Sequence, residues 1–357
     1  MRILFLQQQP CMRALKYAAA LRAVFPTFTL GFAYQGKTLS EWYGSGDELF
    51  ERWWNLGSEP AKGLEAAVEE FRPDLIHSHN LPDSLTAIAL ELFSARVPVV
   101  HDVHDLQSLR RTPYENGFPE PRQALALERL VVDRCSALVT VSEELLDEIR
   151  ARYRPRAPML AFPNYALRRD LPSVLPPADR RNGHISRLVY QGTLSTNGGH
   201  YDLRGIFRAI VGEGLSLDVY PSRSVPAYAE LAAGLPGLQL HPTLSPSRLL
   251  AALPEYDFGW AGFNADLNGA HLDTCLPNKA YEYVGCGLPV LTLGHRALSR
   301  LVGEGRLGLS LATLDNLAGQ LAELNLVEVR RRIASARLAL TVEANIRRLA
   351  EFYETVA

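Results

Sequence analysis

The sequence predicts an α/β protein built from two parallel-sheet domains, and three observations carry that expectation. Short apolar runs alternate with amphipathic helical runs almost from end to end, the pattern of strands joined by crossover helices. The alternation breaks once, between residues 165 and 185, and then restarts. At 357 residues the chain is also longer than one hydrophobic core ordinarily spans.

In the first half the strand-like runs are ILFLQ (3–7), FTLGFAY (28–34), DLIHSH (74–79), VPVVHDV (97–103), ALVTVS (137–142) and MLAFPN (159–164). Between them AKGLEAAVEEF, DSLTAIALELF and RQALALERLVVDRC place apolar residues at helical spacing. Residues 34–58 fit neither pattern; their aromatics, Trp42, Tyr43, Trp53 and Trp54, suit either packing a helix against the sheet or facing a ligand. The break that follows carries Pro172, Pro176 and Pro177 among paired arginines, which marks a boundary. Strand-like runs resume with SRLVYQG, LSLDVY, LQLHP, YDFGWAGF and LPVLTL, and from about 312 the chain reads as helical. The domains are therefore drawn at 1–167 and 168–334. Two doubly wound sheets with a cleft between them would hold ligands on the loops after strands.

Composition narrows the function. A formal net charge of −2 supplies no basic field for nucleic acid. Arginines do cluster at 150, 152, 154, 156, 168, 169, 180, 181 and 187, which reads as a solvated face or as an attraction to anionic lipid or phosphate. Four scattered cysteines form no C-x-x-C pair, so neither a structural zinc site nor a disulfide framework is expected, and a reducing cytoplasm fits. The apolar run at the N-terminus is too short for a signal sequence, and no stretch reaches the ~18 apolar residues of a membrane span.

Two loops and one helix stand out. Gly192-Thr193-Leu194-Ser195-Thr196-Asn197-Gly198-Gly199 links a strand to a helix, where glycines let backbone N–H groups approach phosphate. It is neither a dinucleotide fingerprint nor a Walker loop. LPNKAYEYVGCGLPVL (276–291) reads as a helix that starts on Pro277 and ends at a left-handed Gly287. Lys279 puts a cation in its first turn, at the dipole end that prefers anions, with Glu282 three residues on. Either the two form a surface pair or an anion binds at this helix start.

Taken together, Leu276-Pro277-Asn278-Lys279-x-x-Glu282-Tyr283-x-x-x-Gly287-Leu288-Pro289-Val290, Pro73–His79, His101-Asp102-Val103-His104-Asp105, Ala137–Ser142, Phe162–Asn164, Val189–Leu194 and Tyr256–Trp260 resemble the GT-B glycosyltransferases of the family 4 group. The resemblance spans roughly residues 1–295. It implies two Rossmann-like domains around an interdomain cleft, with a C-terminal helix, about 335–357, returning to the first. It implies a nucleoside-diphosphate sugar as donor and a glycan, lipid-linked glycan or small molecule as acceptor. Transfer would be retaining and metal-independent, with no cofactor, in the cytoplasm or peripherally at the inner face of the membrane.

By the same resemblance His104, Asp105 and Lys279 are the catalytic candidates. Glu282 would bind the ribose hydroxyls, with Lys279, Asn278, Pro277, Thr274, Gly192, Thr193, Asn197 and Gly198 around the donor. His79, Asn80 and Arg13 would lie on the acceptor side. The sequence departs from the family at Thr193 and Gly198, where an Arg and a Lys on the diphosphate are usual, and at Thr274, where an acidic residue is usual and Asp273 is adjacent. The first two departures remove charge-assisted contacts worth about 1.5–3 kcal/mol each, with Arg204 or Arg223 as substitutes nearby. They leave open a noncatalytic, nucleotide-sugar-binding relative. A further alternative is a metal-dependent hydrolase built on His77, His79, His101 and His104.

Overall fold

The computed structural model describes residues 1–36, 48–80, 82–111, 121–179 and 186–357. Trp42, Tyr43, Arg180 and Arg181 lie outside them. In chain order the elements are β1 (Arg2–Gln7), α1 (Met12–Val24), β2 (Thr29–Tyr34), β3 (Arg52–Asn55), α2 (Pro60–Phe71), β4 (Leu75–His79), α3 (Ser84–Phe93), β5 (Val99–Val103), α4 (Pro121–Arg134), β6 (Ala137–Thr140), α5 (Glu143–Tyr153) and β7 (Met159–Ala161). They continue with β8 (Arg187–Gly192), α6 (Arg204–Gly212), β9 (Ser216–Pro221), α7 (Pro226–Ala233), β10 (Leu238–Leu240), α8 (Pro246–Ala252), β11 (Phe258–Trp260) and α9 (Gly269–Leu272). The last are α10 (Asn278–Gly285), β12 (Val290–Leu293), α11 (Arg296–Gly305), β13 (Gly308–Leu311), α12 (Leu317–Glu323), α13 (Leu326–Ala336) and α14 (Val342–Glu354).

These elements form two compact units, Met1–Asn164 with Val342–Ala357, and Tyr165–Thr341. The sequence drew its divisions at 167/168 and about 335. The structure draws them at 164/165 and 341/342, for local reasons. Tyr165 lies edge-on to Tyr281, ring centroids 5.1 Å apart, and Ala166 bridges Thr341, both within the second unit. Arg337 donates to the carbonyl of Gly285 at 2.9 Å and of Pro172 at 2.7 Å, which holds a cation at the C-terminal end of α10. The described part of the proline-rich stretch is thus packed rather than free, with Leu171 against Gly285 and Leu175 against Gly287.

The first unit is a seven-stranded parallel sheet in the order β3-β2-β1-β4-β5-β6-β7; the second is six-stranded, β10-β9-β8-β11-β12-β13. Each begins in the middle and winds outward both ways, so the strand order reverses between β1 and β4 and between β8 and β11. Ligands bind such sheets at the carboxyl ends of strands beside the reversal. The strand runs missed by the sequence reading are β3 and β13, four residues each and only partly buried. Trp53 and Trp54 sit on β3: Trp53 stacks on Phe32 at 4.9 Å and Trp54 meets Phe71 edge-on at 5.4 Å, so both pack the sheet. The described arginines from 150 to 169 are exposed, as a solvated face requires.

Covering the first sheet, α1 is buried along Arg13–Leu21 on almost every side. A helix buried all round needs partners all round, and α14 supplies one, with Arg347 over the Phe25 ring at 5.4 Å. In the second unit Gly259 sets how closely α10 approaches the sheet. A Cβ there would come within 2.3 Å of the Tyr283 ring. The Tyr283 hydroxyl accepts from the Gln191 amide at 3.1 Å and donates to the Trp260 carbonyl at 3.2 Å, which fixes α10 across β8 and β11.

Gly259→Ala should therefore push α10 off the sheet and destabilise the second unit by about 1–3 kcal/mol, the usual cost of overpacking. Urea unfolding would show it as a lowered midpoint, and an unchanged midpoint would refute this reading of the contact.

Candidate functional site

In the first unit, β4 and β5 are buried along their whole lengths yet carry His77, Ser78, His79, His101 and Asp102. Buried polar groups need partners, and strand alternation sorts these onto two faces. Ser78 and His101 are paired in register and share the α3 face, where the Thr86 hydroxyl lies 2.7 Å from Ser78 Oγ and 3.2 Å from His101 Nδ1. His101 Nε2 faces Asp83 at 3.4 Å. His77, His79 and Asp102 occupy the other face. The four histidines proposed as a hydrolase cluster therefore do not assemble, because His101 points away from the other three.

Asp102 is the hub of that second face. Arg13 Nε reaches its two oxygens at 3.1 and 2.9 Å, and His77 Nε2 lies 3.3 Å away. Burial alone would raise the carboxyl's pKa, but the Arg13 guanidinium and the His77 hydrogen bond outweigh it and hold Asp102 well below its ordinary range. A carboxylate can only accept, so His77 Nε2 carries the proton, and its Nδ1 accepts the Tyr353 hydroxyl of α14 at 2.5 Å. Arg13 also donates to Asn164 Oδ1 at 3.0 Å and the Thr140 carbonyl at 3.3 Å. With 4% exposure and three engaged nitrogens it braces the network rather than facing an acceptor.

His79 and His104 stand at the outer end of this arrangement. His79 Nδ1 and His104 Nε2 are 3.0 Å apart, and Asp102 oxygens lie 3.8 and 3.7 Å from those same atoms. The turn after β5 is held by Asn80, whose Oδ1 accepts the His104 amide at 2.8 Å and whose Nδ2 donates to the Asp105 carbonyl at 2.6 Å. Asn80 is thereby spent on backbone. His104 keeps 22% of its side chain exposed, the most of any member of the group. Burial pushes its imidazole down to about 4 despite the attraction of Asp102, so it is neutral at physiological pH. His79 is shifted the same way by burial, well below its ordinary value.

In the second unit the loop after β8 and the start of α10 meet. Pro277 takes the capping position, with φ −71 and ψ 150, and Asn278 opens the helix. Gly287 follows with φ +86, the left-handed conformation that favours glycine. Lys279 is not a surface residue: it is 8% exposed, its Nζ sits 4.0 Å from the centroid of the Tyr190 ring, and it has no hydrogen-bond partner among the described residues. Gly192, at φ +128, makes room for the amine; a Cβ there would come within 3.3 Å of Nζ. Burial lowers the amine's pKa to about 7, with Glu282 acting in the opposite sense. Glu282 Oε2 accepts from Gln191 Nε2 at 2.7 Å, which points the carboxylate along the edge of the same strand end.

The other second-unit candidates fall around this point or are already engaged. Asn197 Oδ1 accepts from the Gly199 amide at 3.0 Å and the Ser195 hydroxyl at 2.9 Å, and Gly198, at φ +74, donates to Asp202 at 3.1 Å. Arg204, offered by the sequence as a substitute cation, is held by Asp202 at 2.9 and 2.7 Å. Thr193 turns its carbonyl to the Tyr190 hydroxyl at 2.6 Å. Thr274 is buried and donates to the His271 carbonyl at 2.8 Å, while Asp273 accepts from the Arg296 amide at 3.1 Å at the start of α11. Sequence reasoning missed Asp102 as a hub, Tyr353, Tyr190 and Gln191. The only signal was the polar run HDVHD inside an otherwise apolar strand.

Residues 40–165 match the family model described as a glycosyl transferase 4-like domain. Among solved structures, Anabaena HepE in complex with UDP-glucose aligns at TM-score 0.70 and 15% identity, covering 99% of this chain and all of that one. Sucrose-phosphate synthase from Thermosynechococcus elongatus aligns at 0.69 and 14%, with 99% and 98% covered. A glycosyltransferase from Rickettsia africae aligns at 0.69 and 10%, also with 99% and 98% covered. A search of curated protein sequences gave no significant match. At such identities the structures speak for the fold, which is GT-B, and the family model for the domain.

The unpartnered amine makes a stability prediction. It titrates near 10.5 when unfolded and about 7 when folded, so between those values the unfolded chain binds more protons and stability rises with pH. Lys279→Met, without ligand, should be more stable than wild type at pH 7 by up to about 4 kcal/mol, a gap that closes as the pH approaches 10. Urea titrations across that range would check it; a destabilised variant would mean that the amine is satisfied after all.

Proposed function

We propose that this chain, a GT-B glycosyltransferase with a glycosyl transferase 4-like domain, transfers a sugar from a nucleoside-diphosphate donor held by its second unit. The observation that carries the reading is Lys279: a buried amine with no hydrogen-bond partner among the described residues, at a helix start and beside a glycine that makes room for it. A group that costs this much to bury is retained where an anion repays the cost. A diphosphate at the N-terminus of α10 would meet Lys279, the α10 dipole and the glycines of the loop after β8. Glu282, held by Gln191, would accept from the two ribose hydroxyls.

His104 supplies the chemistry offered by the first unit. It is neutral at physiological pH and partly exposed, so it would hydrogen-bond a donor-sugar hydroxyl rather than act as a standing cation. Asp105 beside it favours the imidazolium and would stabilise charge that grows there in the transition state. No single carboxylate stands out as a covalent nucleophile, which favours a front-face displacement with retention. There the leaving diphosphate oxygen takes the acceptor proton, and Lys279 offsets the charge that develops on that diphosphate. Metal-independent transfer fits a site that supplies its own cation. The acceptor would be a glycan, a lipid-linked glycan or a small molecule. With Arg13 and Asn80 engaged internally and His79 buried, His104 is the member of this cluster with the most exposed side chain.

A noncatalytic nucleotide-sugar-binding relative remains the second reading, favoured by Thr193 and Gly198 in place of two cations. Thermal unfolding with UDP, GDP, ADP and dTDP, each with EDTA, separates the outcomes. Saturation at about a hundred times the dissociation constant adds roughly 2.7 kcal/mol, a shift of several degrees. One nucleotide should give it, Glu282→Ala should lose it, and His104→Ala should keep it while turnover with the matching sugar nucleotide falls by about 100-fold. No shift with any nucleotide would overturn donor binding; a shift without turnover would leave a binding subunit.

A further inference from the structure

We propose that Cys11, His79 and His104 form a site for a zinc-class metal ion, bound by one thiolate and two imidazoles. One donor atom from each residue lies within 4.8 Å of the other two. They come from three segments that the sheet brings together: the loop before α1, the last residue of β4 and the turn after β5. The independent observation is at His79. This side chain is 1% exposed, and its Nε2 has no hydrogen-bond partner among the described residues. A buried imidazole nitrogen left without a partner is uncommon and suits a metal ligand.

The donor set decides the class of ion. Sulfur with two nitrogens selects zinc, cobalt(II) or copper(I) and rejects magnesium and calcium, which want oxygen. Tetrahedral zinc places such ligands roughly 3.3–3.7 Å apart, so the facing nitrogens of His79 and His104, 3.0 Å apart, would separate by roughly 0.3 Å as the metal replaces the hydrogen bond between them. Cys11 and His104 are both partly exposed and at element ends, where such movement is cheap. The Asp102 carboxylate, 3.8 and 3.7 Å from the two imidazoles, stands where outer carboxylates orient metal-bound histidines. Arg13 would repel a cation, but its charge is already neutralised by Asp102 at 2.9 Å. The fully buried set His77, His79 and Asp102 also clusters, yet hydrogen bonds to Arg13 and Tyr353 already occupy it.

Binding breaks the Cys11 S–H bond: the proton leaves to solvent, the sulfur pair goes to the metal, and no electron is transferred. Burial raises the thiol's pKa, so affinity weakens as pH falls. A metal held here also takes a nitrogen of His104. Zinc would then suppress the transfer proposed above, a consequence that rests on that reading, whereas the site itself does not.

The test uses full-length protein without a polyhistidine tag, stripped with EDTA, in a non-thiol reductant. Cobalt(II) should produce a thiolate-to-cobalt charge-transfer band that saturates at one equivalent and is displaced by zinc. Cys11→Ser should abolish the band and weaken zinc binding by more than about 100-fold, beyond the usual cost of an outer-shell change. Cys275→Ser should retain it, which excludes the other partly exposed cysteine. Should Cys11→Ser fail to fold, alkylation of the wild type decides: zinc should protect Cys11 from iodoacetamide, as read by mass spectrometry. Absence of the band, its survival in Cys11→Ser, or unprotected Cys11 would each overturn the proposal.

Discussion

An amine taken out of water without a hydrogen-bond partner is the constraint around which the second unit is arranged. Lys279 has no hydrogen-bond partner among the described residues, and its neighbours are the Tyr190 and Phe263 rings and a glycine. The folded protein carries that cost only because other contacts impose it. Gly259 lets the Tyr283 ring lie against β11, the Tyr283 hydroxyl ties α10 to β8 and β11, and Arg337 with Leu171 fixes the far end of α10. Those contacts leave Lys279 nowhere else to go. A buried amine at a strand end, costly in the free protein, is the kind of group that the proposed diphosphate would repay.

The first unit solves a related problem differently. There the buried charge is a carboxylate, and it is fully compensated: Asp102 has Arg13 and His77 as direct partners and two more imidazoles just beyond. The partners come from α1, β4 and the turn after β5, so the ion cluster ties those segments together and, through Tyr353, α14. The result is one face of neutral imidazoles beside the reversal of the strand order. His104 is the outermost member, and it is held by backbone through Asn80 rather than by its own ring.

Much of this was legible from the sequence, and the reasons for the rest are specific. Parallel strands buried on both faces read as apolar runs, so β1, β4, β5 and β8 were plain, whereas β3 and β13 are short, half-buried and carry too little pattern. The helix start at Pro277 and the left-handed Gly287 followed from local backbone rules, and both hold in the structure. Local rules fail where burial decides. Glu282 three residues after Lys279 suggests a surface pair, but the packing of α10 on the sheet turns the lysine inward. Nothing in HDVHD says that Asp102 rather than His101 faces the histidines of β4; register between strands 25 residues apart decides it. Arg204 likewise looks free until Asp202, two residues away, is seen to hold it. The GT-B resemblance predicted the architecture through motifs, while the partners of each motif residue are tertiary.

The most direct test of the account is calorimetry of nucleotide binding in buffers of different ionisation enthalpy, at pH 8, with EDTA and the nucleotide that stabilises the protein. The free Lys279 amine is then mostly neutral, and a bound diphosphate should return its proton, so close to one proton should be taken up per nucleotide bound. Lys279→Met should take up none and bind more weakly. Binding without proton uptake, or uptake that persists in the variant, would contradict the proposal that a lysine buried without a hydrogen-bond partner anchors the nucleotide.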